Sequence, residues 1–122
     1  MIGYVTVGTD NMPRAAKYYD ALLGELGAKR IMDFGTFIVW GFGRGKTGFS
    51  VTRPYNKQPA TVGNGVMVGL AVDSPAKVDA LYGKAIELGG TDEGPPGPRG
   101  DGFYGAYFRD PDGNKLNFHC MT

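Results

Sequence analysis

The chain repeats itself. When Tyr4 is laid over Met67, a shift of about 63 residues, Tyr4-Val-Thr-Val-Gly-Thr-Asp10-Asn11 covers Met67-Val-Gly-Leu-Ala-Val-Asp73-Ser74. Both stretches are apolar and both end in a pair suited to capping a helix. Val5, Asp10 and Tyr19 recur as Val68, Asp73 and Tyr82. Three identities alone would be weak, but the periodicities behind them also match, so one structural unit is used twice. The 122 residues are enough for one core and too few for two domains of ordinary size. A single domain over 1–122 is therefore expected, with module 1 at about 1–53, a linker at about 54–64 and module 2 at about 65–122.

Each copy shows the same change of period. After Asn11, the residues Met12, Ala15, Ala16, Tyr19, Leu22, Leu23 and Leu26 fall at helical spacing, with Asp10 or Asn11 as N-cap, Pro13 in the first turn and Gly27 as the stop. In the second copy Ser74-Pro75 opens a helix striped by Val78, Leu81, Tyr82 and Ala85, and Gly89-Gly90 closes it. Short β-rich runs follow: Arg30 to Phe34, Thr36 to Gly41 and Gly48 to Thr52, then Gly102 to Phe108 and Asn114 to Cys120. A weak strand near Gly90 to Glu93 completes the second set, and a longer loop from Asp92 to Asp101 separates it from the next strand. These later strands align at a shift of about 67, which places Ser50 over Asn117. Each half reads as βαβββ. The 21 glycines suit many tight turns between short strands.

Composition removes several functions. With 13 Lys and Arg against 12 Asp and Glu, there is no basic footprint for nucleic acid. No charged and apolar leader precedes Ile2 and no apolar run is long enough to cross a bilayer, so a cytoplasmic location without membrane contact is expected. The single cysteine, Cys120, excludes an internal disulfide and a cysteine-based zinc site. The partners expected are a small-molecule ligand or substrate and a second copy of the chain, as a homodimer.

Three motifs are turns and not sites. Gly43-x-Gly45-x-x-Gly48 matches the dinucleotide fingerprint in letters, but a strand follows it where a helix is required. Gly45-Lys46-Thr47 resembles the end of a phosphate loop, yet Trp40 stands where its first glycine belongs. Asp110-Pro-Asp-Gly113 is turn chemistry between two strands.

One helix covers one face of a four-stranded sheet and leaves the other free to curl around a cavity. Alternation puts Val5 and Val7 toward the helix and Tyr4 and Thr6 away from it. In the second copy it leaves Met67 and Gly69 on the free face, and on the last strand Asn117 and His119. Alternation also admits only one of Val39 or Trp40, and one of Phe103 or Tyr104, to that face.

The paired units, the opening Met1-Ile-Gly-Tyr-Val-Thr-Val-Gly-Thr-Asp-Asn, the second start Gly63-Asn-Gly-Val-Met-Val and the run Tyr107-Phe-Arg-Asp-Pro-Asp-Gly-Asn-Lys-Leu-Asn117 resemble the vicinal oxygen chelate superfamily. That superfamily includes glyoxalase I, extradiol dioxygenases, fosfomycin-resistance transferases and bleomycin-binding proteins. The resemblance spans essentially the whole chain. It implies an α+β fold of two tandem βαβββ modules forming a curved mixed sheet around a cavity. In metal-dependent members the ligands stand on the first and last strands of each unit, and those positions here are Tyr4, Ser50, Met67 and Asn117. None is a histidine or a carboxylate, the donors that zinc, nickel or ferrous iron prefer. No metal and no other cofactor is therefore expected.

Three functions follow as expectations. The first is a metal-free protein binding a small, partly aromatic molecule, with Phe37, Trp40, Phe103, Tyr104 and Tyr107 as stacking surface. Tyr4, Ser50, Met67, Asn117 and His119 would complete its lining, and Arg99 would meet any carboxylate or phosphate, with Arg53 and Lys57 on the other long loop. The second is a glyoxalase-, lyase- or dioxygenase-like enzyme acting on a small carbonyl compound, either metal-free, with His119 as acid or base and Tyr4 as hydrogen-bond donor, or with a non-standard metal site. The third is a structural dimeric module whose cavity is filled by its own side chains.

Overall fold

Asn11 resolves the choice of cap. In a computed structural model describing residues 1–122, its side chain accepts from the Arg14 amide at 3.1 Å and helix α1 runs Met12–Gly24. Met12, Ala15, Ala16, Tyr19, Leu22 and Leu23 are buried along one side, and Gly27 at φ 86° turns the chain away. Ser74 repeats the device on the Lys77 amide at 3.2 Å, and α2 runs Pro75–Glu87 with Val78, Leu81 and Ala85 buried.

The strands are β1 (Tyr4–Gly8), β2 (Lys29–Asp33), β3 (Phe37–Gly41) and β4 (Gly48–Thr52), then β5 (Val68–Ala71), β6 (Thr91–Pro98), β7 (Phe103–Arg109) and β8 (Lys115–Met121). Two sheets result, ordered β1-β4-β3-β2 and β5-β8-β7-β6. In each, the first strand lies parallel to the last and the other neighbours are antiparallel. Val5 pairs with Phe49 and Val68 pairs with Leu116, so the registers reproduce the sequence shifts for the first and last strands; β3 and β7 depart by one residue, since Trp40 pairs with Phe49 while Phe108, and not Tyr107, pairs with Leu116. The chain divides into two compact units, Met1–Gly63 and Asn64–Thr122. No helix is long and apolar enough to cross a membrane.

Each unit buries a core between its helix and one sheet face. In the first, Tyr19 packs its ring 4.7 Å from Phe49 and 5.7 Å from Trp40, centroid to centroid. Asp20, the next residue of α1, accepts from the Trp40 indole at 2.9 Å and from Nε and Nη2 of the Arg30 guanidinium, whose Nη1 donates to Asp33. The hydrogen bond from Arg30 leads the effects holding the Asp20 carboxyl below its ordinary range. In the second unit Phe108 and Phe118 stack at 5.4 Å, with Leu116, Val78 and Ala106 fully enclosed. Burying each such ring or branched side chain contributes about 1.5–3 kcal/mol. Hydrogen bonds from Tyr104 to Asp79 and from Tyr82 to Asp92 tie α2 to the sheet.

The loop expected from Asp92 to Asp101 is corrected: β6 continues through the glycines and prolines to Pro98, with register shifts at Asp92/Gly94 and Gly94/Gly97. Pro95, Pro96 and Pro98 have no N–H to donate, which an edge strand tolerates and a central one does not.

Candidate functional site

Each sheet has a face that its own helix leaves bare. In the first unit β1 supplies Tyr4 and Thr6, β3 supplies Phe37 and Val39, and β4 supplies Gly48 and Ser50 to this face. The Ser50 side chain is fully buried; its Oγ donates to the Val5 carbonyl at 2.8 Å and meets Thr6 Oγ1 at 2.6 Å. Tyr4 is 60% exposed, has a hydroxyl with no hydrogen bond, and sets its ring edge-on to Phe37 at 6.1 Å. Phe34 lies 6.5 Å beyond Phe37 and is also exposed. These rings wall a cleft of about 600 Å³ whose remaining lining includes Ile31, Met32 and Val39. Ile31 and Met32 both reach it because a register shift between Arg30 and Met32 inserts a residue into β2. The floor stays open because position 48 is glycine: a Cβ there would stand 2.8 Å from Val39 Cγ1.

The bare face of the second unit is more polar. His119 Nδ1 lies 2.9 Å from Asn117 Oδ1, and the imidazole stacks on Phe103 at 5.2 Å with the planes 12° apart. A carboxamide oxygen only accepts, so Nδ1 carries the proton and Nε2 is left as the basic nitrogen. Gly69 lies across from Asn117, where a Cβ would come within 3.2 Å of Asn117 Oδ1 and 3.3 Å of His119 Cε1. Tyr107 also faces this way, under the Arg99 guanidinium at 5.5 Å and the Lys115 ammonium at 5.7 Å. Arg109 pairs with Glu93 and donates to the Gly113 carbonyl; the hydrogen bond from Arg109 is the main cause of the lowered Glu93 pKa.

The expected site residues therefore separate. Tyr4 and Ser50 share the bare face of one sheet; Tyr107, Asn117 and His119 belong to that of the other, and Met67 is an exposed residue just before β5. Trp40 is corrected: only 1% exposed, it lies on the helix side against Tyr19, because Val39 takes the bare face and alternation sends its neighbour inward. Tyr104 is corrected for the same reason, since Phe103 takes the bare face and the Tyr104 hydroxyl donates to Asp79 on α2 at 2.7 Å. That hydrogen bond, ahead of desolvation, raises the Tyr104 pKa; for Tyr82 desolvation leads and the bond to Asp92 follows. Arg99 turns back on its own turn, donating to the carbonyls of Pro95 at 2.6 Å and Pro98 at 3.3 Å. Phe34, Ile31, Met32 and Arg44 were not foreseen. A bulge and a turn bring them to the cleft, and neither leaves a periodicity to read.

At Tyr4, Ser50, Met67 and Asn117, the positions that the resemblance assigns to metal ligands, the donors are poor. The Ser50 oxygen is already shared between two partners and Asn117 Oδ1 is engaged by His119. A phenol and a thioether complete the set, and no three His, Cys, Asp or Glu side chains converge anywhere. These residues do not fit a zinc, nickel or ferrous ion.

Tandem βαβββ units with bare sheet faces define a glyoxalase-like protein. The model of the Glyoxalase/Bleomycin resistance protein/Dioxygenase superfamily matches residues 1–118, and the chain belongs to that superfamily. Among solved structures, a glyoxalase/bleomycin resistance protein from Albidiferax ferrireducens T118 is 40% identical, with a TM-score of 0.91 over 100% of this chain and 99% of that one. Hypothetical protein SA1046 from S. aureus is 27% identical with a TM-score of 0.77, covering 99% and 93%. Lactoylglutathione lyase from Agrobacterium tumefaciens shares the fold at 19% identity and a TM-score of 0.72, covering 98% and 92%. A comparison with curated proteins gave no match.

Proposed function

We propose that this chain is a metal-independent binding member of the superfamily that holds a small, partly planar molecule on its bare sheet faces, above all in the cleft of the first unit. The observation that carries this reading is the cleft itself. Tyr4, Phe34 and Phe37 stand exposed around a concave space of about 600 Å³, and large rings left in water at such a place suit a ligand that covers them. The donor set at Tyr4, Ser50, Met67 and Asn117 supports independence from metal. Protein purified without chelator should carry no stoichiometric nickel, zinc or iron, while flat bicyclic fragments should raise its melting temperature and shift the amide resonances of Gly45 and Gly48. One equivalent of a metal that stabilises the fold would overturn the reading. A homodimer is the assembly it expects, and sedimentation at several concentrations tests that.

A second reading rests on the Asn117–His119 pair. With Nδ1 fixed by Asn117, Nε2 makes no hydrogen bond and is available to take a proton from a small carbonyl compound. Under this reading His119→Ala abolishes turnover while ligand binding persists. Turnover that survives the substitution removes the histidine from the chemistry.

A further inference from the structure

Resting on the binding reading above, we infer that the cleft of the first unit selects an organic anion, a carboxylate on a flat apolar body, with Arg44 as its counter-ion. Arg44 is the only charged side chain lining the cleft, and no acid lines it. Three other arginines near the sheet faces are held: Arg30 by Asp20 and Asp33, Arg109 by Glu93 and the Gly113 carbonyl, Arg99 by the Pro95 and Pro98 carbonyls. Arg44 has no such partner. It stands in the turn between β3 and β4, flanked by Gly43 at φ 129° and Gly45 at φ 82°, and the left-handed backbone there brings the turn back over the cleft.

Charge decides among ligands of equal shape. The rings and aliphatic side chains attract any flat apolar body without regard to its charge. A cation would meet an unpaired guanidinium and be repelled, a neutral molecule would gain nothing from it, and a carboxylate can accept two parallel hydrogen bonds from its fork. A second cleft of about 620 Å³ also borders Phe37 and holds Arg53 and Lys57. It is the weaker candidate: Asp10 shares that lining, and its Tyr55 ring is fully exposed and encloses nothing.

The test is an NMR titration of the full chain, at one fixed salt concentration, with 2-naphthoate, 2-naphthamide and 2-(aminomethyl)naphthalene. We expect the naphthoate to bind about three- to tenfold tighter than the amide, with the amine weakest and the largest shifts at Gly45 and Gly48. Arg44→Gln should bring the naphthoate down to the level of the amide and leave the amide itself unchanged; Arg53→Gln should change neither. Equal affinity for all three probes would overturn this inference and leave the binding reading standing. Absence of binding by all three at millimolar concentration would overturn both. A preference for the anion that disappears in Arg53→Gln and survives in Arg44→Gln would assign the anion to the other cleft and overturn the inference.

Discussion

The two bare sheet faces are built on one backbone plan and carry opposite chemistry. In the first unit the face is aromatic and aliphatic, its one buried hydroxyl is satisfied internally by Thr6 and Val5, and its only charge is at the rim. In the second the same positions carry an amide, an imidazole and a tyrosine beneath two cations. The two units share the parts that set topology and packing and differ on their bare faces. A sheet constrains its helix-facing residues through the core, whereas residues on the other face are free of that constraint.

The largest effects should come from what the units share. Trp40→Ala in the first core and Phe108→Ala in the second should each cost about 3–5 kcal/mol, read as loss of melting temperature or denaturant midpoint. A cost near zero for Trp40 would return it to the list of ligand-facing residues.

Next come the glycines of the bare faces. Gly48→Ala sets a methyl 2.8 Å from Val39 Cγ1, a branched side chain with little room to turn, so about 1–3 kcal/mol of destabilisation and loss of fragment binding are expected. Gly69→Ala meets Asn117 and His119 at 3.2–3.3 Å, where small shifts relieve the contact, so a smaller loss of stability is expected together with a disturbed imidazole resonance. Equal costs at the two positions would deny that the second face is the more adaptable.

Acid sharpens the comparison further. The Asp20 carboxyl, paired with Arg30, titrates below its unfolded value, so its stabilisation is present above about pH 4 and is lost as pH falls through the lowered folded-state value. Asp20→Asn should flatten that part of the acid-unfolding curve while keeping an acceptor for the Trp40 indole. Asp20→Ala leaves that indole unpaired and should cost about 1–3 kcal/mol at neutral pH. An unchanged acid limb in Asp20→Asn would remove the ion pair from the account. The smallest effect is expected for Lys115→Ala, within about 0.5 kcal/mol, because Arg99 still covers the Tyr107 ring.

Most of the fold was legible because it is periodic. The caps at Asn11 and Ser74, the helical stripes and the repeat shifts of the first and last strands reappear, since each expresses a local rule that burial then reinforces. Alternation likewise placed Tyr4, Thr6, Asn117 and His119 on the faces where they stand, and admitted only one member of each aromatic pair. It did not say which member: Trp40 and Tyr104 went inward because Tyr19, Asp20 and Asp79 on the helices were there to receive them. β6 escaped notice because its prolines look like loop and are excused only by its edge position, which is a property of the sheet and not of the segment.

The sequence by itself determined the tandem units and their helices, because repetition and spacing are written along the chain. Only the tertiary structure decided which charge is free. Arg99 looked like the anion contact and is spent on two backbone carbonyls; Arg44 looked like a turn residue and stands unpaired at the rim of the cleft. Whether a guanidinium is available depends on which acceptors fold around it, and no local pattern in the chain records that.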